Sequence, residues 1–178
     1  LDLSHAEKGL IVATPVLAGA ILRMVMGVVV DRLSPKKAAI IGQVIVIAAL
    51  AYAWLAGVHS FGEVLVLGIF LGVAGASFAA ALPLASRWYP PEHQCTAMGI
   101  AGAGNSGTAF AALFAPGLAI AFGWHNVFGL ALIPLVIVLV AFCFMAKDAP
   151  DAPPPKRFAE YLAVLKDKDA WWFMFFYA

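Results

Sequence analysis

The sequence predicts an all-α integral membrane protein, and three observations carry that prediction. Of 178 residues, 63% are hydrophobic and only 12% charged, with a mean hydropathy of +0.94. Soluble domains carry about 25% charged residues, so this chain could not clothe itself with a polar surface in water. The apolar residues also fall in runs of about 20, the length that crosses a bilayer as a helix. Finally, the basic residues gather in alternate connections between those runs. Net charge is only +1, which gives nothing for nucleic acid to bind.

Hydropathy places five full spans at roughly 9–30, 38–58, 62–86, 95–117 and 124–146, with a sixth beginning at Trp171. Arg32, Lys36 and Lys37 separate the first span from the second, and Arg87 follows the third. Lys147, Lys156, Arg157, Lys166 and Lys168 follow the fifth. Alternating spans put all these residues on one side. The other side holds Lys8, and neither 57–63 nor 117–126 contains a Lys or Arg. Short loops rich in Lys and Arg stay in the cytoplasm, so loop 31–37 is expected there, in a multi-pass protein of the plasma (inner) membrane.

Residues 149–157 form a Pro-rich, semi-rigid linker. Beyond it Phe158, Tyr161, Leu162 and Leu165 recur at helical spacing, which predicts a short amphipathic helix on the membrane surface. Trp171 and Trp172 then mark an interface where another span enters. The expected organisation is a transmembrane lobe over 1–146, a cytoplasmic inter-lobe linker over 147–170 and the start of a second lobe over 171–178. The chain opens without Met on a polar stretch and closes inside an apolar run, so it reads as a fragment.

Cys95 and Cys143 stand alone, about fifty residues apart, and are expected to be small buried hydrophobes. His5, His59, His93 and His125 fall at span ends or loops, with none spaced i, i+4 from another. No metal site or cofactor is expected, and no enzyme chemistry.

Arg23 is the residue that stands out. It lies eight residues before Asp31, about 12 Å inside the helix end, near the middle of a core about 30 Å thick. A central Arg costs about 2.5–3.5 kcal/mol to insert. Every Asp and Glu lies at a span end or in a loop, so no carboxylate shares its depth. The readings are a mobile anion, helix carbonyls, or an acid elsewhere in a longer protein.

A second constellation is Gly27-Val-Val-Val-Asp31-Arg32-Leu-Ser-Pro-Lys36-Lys37. Gly27 would let a helix approach closely. Asp31 could accept from the exposed N–H groups of a neighbouring helix start, with Arg32 and the lysines as partners. Such a charge lock can hold a gate; the plainer reading is positive-inside charge. This stretch resembles the loop signature of the major facilitator superfamily, which lies there between the second and third of twelve helices. The resemblance implies that the first helix of the fold is missing here, and that the fold is a partial N-terminal six-helix lobe.

A third stretch runs Gly99-Ile-Ala-Gly102-Ala-Gly104-Asn105-Ser-Gly107. Small residues of this kind serve close helix packing, but Asn105 adds an uncharged donor at the depth expected for Arg23. The run resembles the glycine–asparagine signature of the nitrate/nitrite porter branch, in its fifth helix. The resemblance implies that Arg23 binds a planar nitrate or nitrite anion, with Asn105 beside it. Phe78 is implied as an aromatic stacking near the anion, and Gly99, Gly102, Gly104 and Gly107 as the signature glycines. It further implies alternating access between two lobes, a carrier that needs the C-terminal lobe as well as the bilayer, and a gate formed by Asp31 and Arg32. Another carrier of the superfamily, for organic anions or drugs, would keep the loop signature but need neither Arg23 nor Asn105. A membrane enzyme or redox anchor would instead call for paired histidines or a metal constellation.

Overall fold

A computed structural model describes residues 4–150, 158–164 and 166–177. Most of the Pro-rich linker, 151–157, lies outside the described residues, as does Leu165. The described residues form helices, with no strand among them.

Helix α1 (His5–Leu33) begins at Ser4, whose hydroxyl accepts from the Glu7 N–H while Glu7 accepts from the Ser4 N–H. A turn centred on Ser34 (φ 149°) reverses the chain into α2 (Pro35–Ala56). Gly57 (φ +76°) and Ser60 lead into α3 (Phe61–Ala76), which stops at Ser77 and resumes as α4 (Phe78–Ser86). Together α3 and α4 make the third span. The fourth is α5 (Pro91–Gly102), a 3₁₀ turn over Ala103–Asn105, and α6 (Ser106–Phe122). Gly123 (φ +83°) turns the chain into α7 (Trp124–Met145), the fifth span. The five expected spans therefore stand, and each is long and apolar enough to cross a membrane. Helices α8 (Phe158–Val164) and α9 (Lys168–Tyr177) follow. The first occupies the stretch expected to be amphipathic; the second starts three residues before Trp171.

Hydropathy could not show the two interruptions. At the first, the Ser77 hydroxyl donates to the Ala74 carbonyl at 2.6 Å and competes with the helical ladder. At the second, Gly102 and Gly104 weaken the helix while the flanking residues stay apolar.

Lipid is as apolar as a leucine side chain, so spans associate through close backbone approach rather than through the hydrophobic effect. The tightest approach is α1 against α3. A Cβ on Gly72 would lie 2.6 Å from Ala18 Cβ, and one on Gly19 would lie 3.1 Å from the Gly72 carbonyl. Around this seam Met26, Val30, Ala38, Val46, Leu50, Val73, Ala76 and Ala80 form a small core. Gly129 meets the Trp54 ring and brings α7 onto α2. Helices α5, α6 and α7 bury no residue. For that reason Cys95 and Cys143, on α5 and α7, are exposed rather than buried as expected.

Gly72→Ala should lower the melting temperature of the detergent-solubilised protein, because the added methyl has no room without moving α1. Overpacking of this kind costs about 1–3 kcal/mol. Gly62→Ala is the control, since a Cβ there meets nothing within 4 Å. Equal melting of the two variants would show that the α1–α3 seam is not the close contact described.

Candidate functional site

Arg23 lies one helical turn after Gly19, so the glycine seam delivers it to the end of α3. Its Nη2 donates to the Gly75 carbonyl at 3.2 Å. In an unbroken helix that carbonyl would accept from the Ala79 N–H, but Ala79 lies beyond the interruption at Ser77. The helix break thus supplies a carbonyl acceptor to a cation. Of the readings left open for Arg23, helix carbonyls are met in part. One neutral acceptor serves a guanidinium with five N–H donors, and no carboxylate reaches it among the described residues. The side chain also lines a cavity of about 260 Å³ with Gly27, Asp31, Ala79, Pro83 and Tyr161.

Asp31 closes the end of that cavity nearest loop 31–37. Its Oδ1 accepts from Arg87 Nη2 at 3.2 Å, and its Oδ2 accepts from the Tyr161 hydroxyl at 2.9 Å. These partners differ from the expected ones. The start of α2 needs nothing from Asp31. Pro35 has no N–H, the Lys36 N–H is taken by Asp148 Oδ1 at 2.9 Å, and the Lys37 N–H by the Ser34 hydroxyl at 3.3 Å. The Ala38 N–H returns to the Ser34 carbonyl at 3.0 Å. At α2 the capping is done by Asp148 and Ser34, and Asp31 takes no part in it. Arg32 does not pair with Asp31 either, because adjacent helical residues point in different directions; it is exposed.

Lys36 Nζ donates to the Cys143 carbonyl at 2.8 Å, placing a cation on the negative end of α7. Trp88 Nε1 donates to the Lys147 carbonyl at 2.9 Å. Lys37 projects to the exterior. The connections that carry most of the basic residues thus meet at one end of the bundle.

Gly27 is corrected as well. A Cβ there would meet nothing within 4 Å, so it lines the cavity rather than a helix contact. The same holds for Gly99, Gly102, Gly104 and Gly107, which face open space rather than a packed neighbour. Asn105 ends the 3₁₀ turn, and its carbonyl accepts from the Thr108 hydroxyl at 2.7 Å. The fourth span packs chiefly on α4 and α7, so Asn105 is not brought against Arg23. Phe78 opens α4, half-buried, beside the cavity-lining Ala79 but outside the lining itself. The structure therefore unites Arg23, Gly27 and Asp31 and leaves Asn105 and Phe78 apart from them. Sequence reasoning missed Arg87, Asp148 and Tyr161. Two of these were read only as loop charge and as an apolar helix face; a basic residue ending the third span was the available signal.

The family profile for the Major Facilitator Superfamily matches residues 1–178. This chain belongs to the major facilitator superfamily. Among its relatives is a protein described as a probable nitrate/nitrite transporter, NarK2, of Mycobacterium tuberculosis (strain CDC 1551 / Oshkosh). It is 34% identical over 84% of this chain and 38% of its own length. A nitrite extrusion protein of Bacillus subtilis (strain 168) is 31% identical over 77% of this chain and 34% of its own. A probable nitrate transporter, NarT, of Staphylococcus carnosus is 27% identical over 99% of this chain and 45% of its own. The chain thus spans less than half the length of these curated relatives. No solved structure matches it.

Burial beside Asp31, and then the bond to its carboxylate, raise the Tyr161 phenol above its ordinary value of 10.0. A raised phenol keeps its proton, so the contact contributes below pH about 10 and is lost as pH climbs through the folded value. In an ultraviolet phenolate titration, Tyr161→Phe should remove amplitude on the alkaline side of the ordinary tyrosine range. Amplitude lost within or below that range would contradict the contact.

Proposed function

We propose that the full-length protein is a secondary transporter that moves nitrate or nitrite across the plasma (inner) membrane by alternating access. The observation that supports this most is Arg23, a fixed positive charge at span depth whose one hydrogen bond goes to a neutral carbonyl. A bond to a charged group is worth about 1.5–3 kcal/mol, against an insertion cost of about 2.5–3.5 kcal/mol. Charge remains uncompensated, and the cavity is where an anion would meet it. A guanidinium presents parallel N–H groups that match two coplanar oxygens, the geometry of nitrate and nitrite. The descriptions of the relatives, as nitrate, nitrite or nitrate/nitrite carriers, agree with that anion class.

In this reading Arg23 holds the anion. Phe78, one residue before the lining residue Ala79, and Asn105 both lie apart from it here and join when their spans move inward, the fourth about its 3₁₀ turn. The bare glycines around Asn105 leave room for that movement. Asp31 and Arg87 form the cytoplasmic gate, with Gly27 in its wall, while Lys36 and Asp148 fix the loop end and Arg32 and Lys37 supply surface charge. Residues 1–146 act as part of one rocking lobe, against a second lobe entered through α9, with loop 31–37 in the cytoplasm.

Arg23→Lys, made in the full-length protein and reconstituted in liposomes, should cut nitrate and nitrite exchange about ten- to hundredfold, because a point charge loses the paired bonds. Insertion and yield should not change. Undiminished exchange by the variant would overturn the site, and no exchange by the parent protein would overturn the substrate class.

A further inference from the structure

The cavity below Arg23 has one wall that does not come from the spans. Arg23, Gly27 and Asp31 descend one side of α1, and Ala79 and Pro83 of α4 face them. The remaining wall is Tyr161, from α8 beyond the linker. Its hydroxyl donates to Asp31 Oδ2 at 2.9 Å while Arg87 holds Oδ1 at 3.2 Å. Each carboxylate oxygen has one of these partners, so Asp31 is shared between the third span and the linker helix. A helix of seven residues is too short to persist on its own hydrogen bonds, so contacts with the bundle must hold α8 in place.

We propose that Tyr161 is a positioning residue that latches α8 across the cytoplasmic mouth of the Arg23 cavity, so that breaking its bond to Asp31 opens the cavity to the cytoplasm. The latch does not compete with the Arg87 pair, because it uses the other oxygen. It can let go while that pair stays closed, giving the mouth two separable closures. The phenol keeps its proton throughout the physiological range and remains a donor, for the reasons of burial and carboxylate contact given above. As an element of transport the latch rests on the proposed anion site; as a closure of the cavity it rests on geometry alone.

Val28 lines the same cavity and serves as the reporter position. In the full-length protein, with its native cysteines replaced by serine, Val28→Cys is exposed to a charged, membrane-impermeant thiol reagent in inside-out vesicles. Adding Tyr161→Phe should raise the modification rate about three- to tenfold, the shift expected from one hydrogen bond. Tyr161→Ala should raise it at least as far and covers the case in which the Phe variant inserts poorly. Right-side-out vesicles should show no rise. An unchanged rate in both variants overturns the latch, as does a lowered melting temperature with unchanged Val28→Cys reactivity. Nitrate exchange by the parent separates the two claims. If the parent exchanges nitrate while the reporter stays unmoved, the latch fails and the transport reading stands. If the reporter rises in a parent that exchanges neither nitrate nor nitrite, the latch stands and the transport reading fails.

Discussion

Two glycine backbones in contact set the geometry of the half of this molecule that carries loop 31–37. Where Gly19 crosses Gly72, no side chain separates α1 from α3, and the helices come as near as their backbones allow. Everything further along α1 is then placed by helical rise. Arg23 lies one turn on, about 6 Å along the axis, and Gly27 and Asp31 follow at about 12 and 18 Å. On the facing helix Gly75 lies three residues after Gly72, so its carbonyl arrives where the guanidinium does. Had a larger residue held the helices apart, the same Arg23 would have faced lipid without an acceptor.

The interruption at Ser77 is the second half of that arrangement. In a continuous helix each carbonyl already accepts from four residues on, so a neighbour finds only its second lone pair. Breaking the third span costs backbone bonds but exposes acceptors at the depth where a cation needs one. Other polar side chains in the spans find neutral acceptors of the same sort: Thr14 donates to the Leu10 carbonyl and Gln43 to that of Leu135. For a hydroxyl or an amide, one such bond is enough. A guanidinium has four further N–H donors and a full charge. What is ordinary satisfaction at Thr14 and Gln43 is partial at Arg23.

The sequence made the spans legible because lipid demands long apolar runs, and such runs survive any local irregularity. The same property hid the breaks, since Ser77 and the turn at Ala103–Asn105 interrupt hydrogen bonding without interrupting hydropathy. Arg23 was legible because charge in an apolar run is costly wherever its partner lies. Its acceptor was not, because a carbonyl has no letter in the sequence. The glycines show the limit from another side. Gly19, Gly27 and Gly72 are equal as letters, yet only the face each presents decides whether it is a contact or a cavity wall. The partners of Asp31 were not legible, because Arg87 lies 56 positions from it and Tyr161 130. Asp148 lies 112 positions from Lys36, and no spacing rule connects them.

The two ends of the bundle are held together by different chemistry. At the end carrying loop 31–37, charged groups make the ties: Asp31 with Arg87, Asp148 on the Lys36 N–H, Lys36 on the Cys143 carbonyl. At the other end the ties are local or between neutral groups. Trp54 Nε1 meets Asn126 at 3.4 Å, and Glu63 accepts from the His59 N–H only four residues away. Charge-assisted bonds are roughly twice as strong as neutral ones and depend steeply on geometry. They suit contacts that must hold until a specific partner is displaced, whereas weak, local contacts yield gradually. The bundle is therefore tied more firmly at the end that carries loop 31–37 than at the other. Among the described residues, the Asp31 carboxylate ties α1 both to Arg87 at the end of α4 and to Tyr161 of α8.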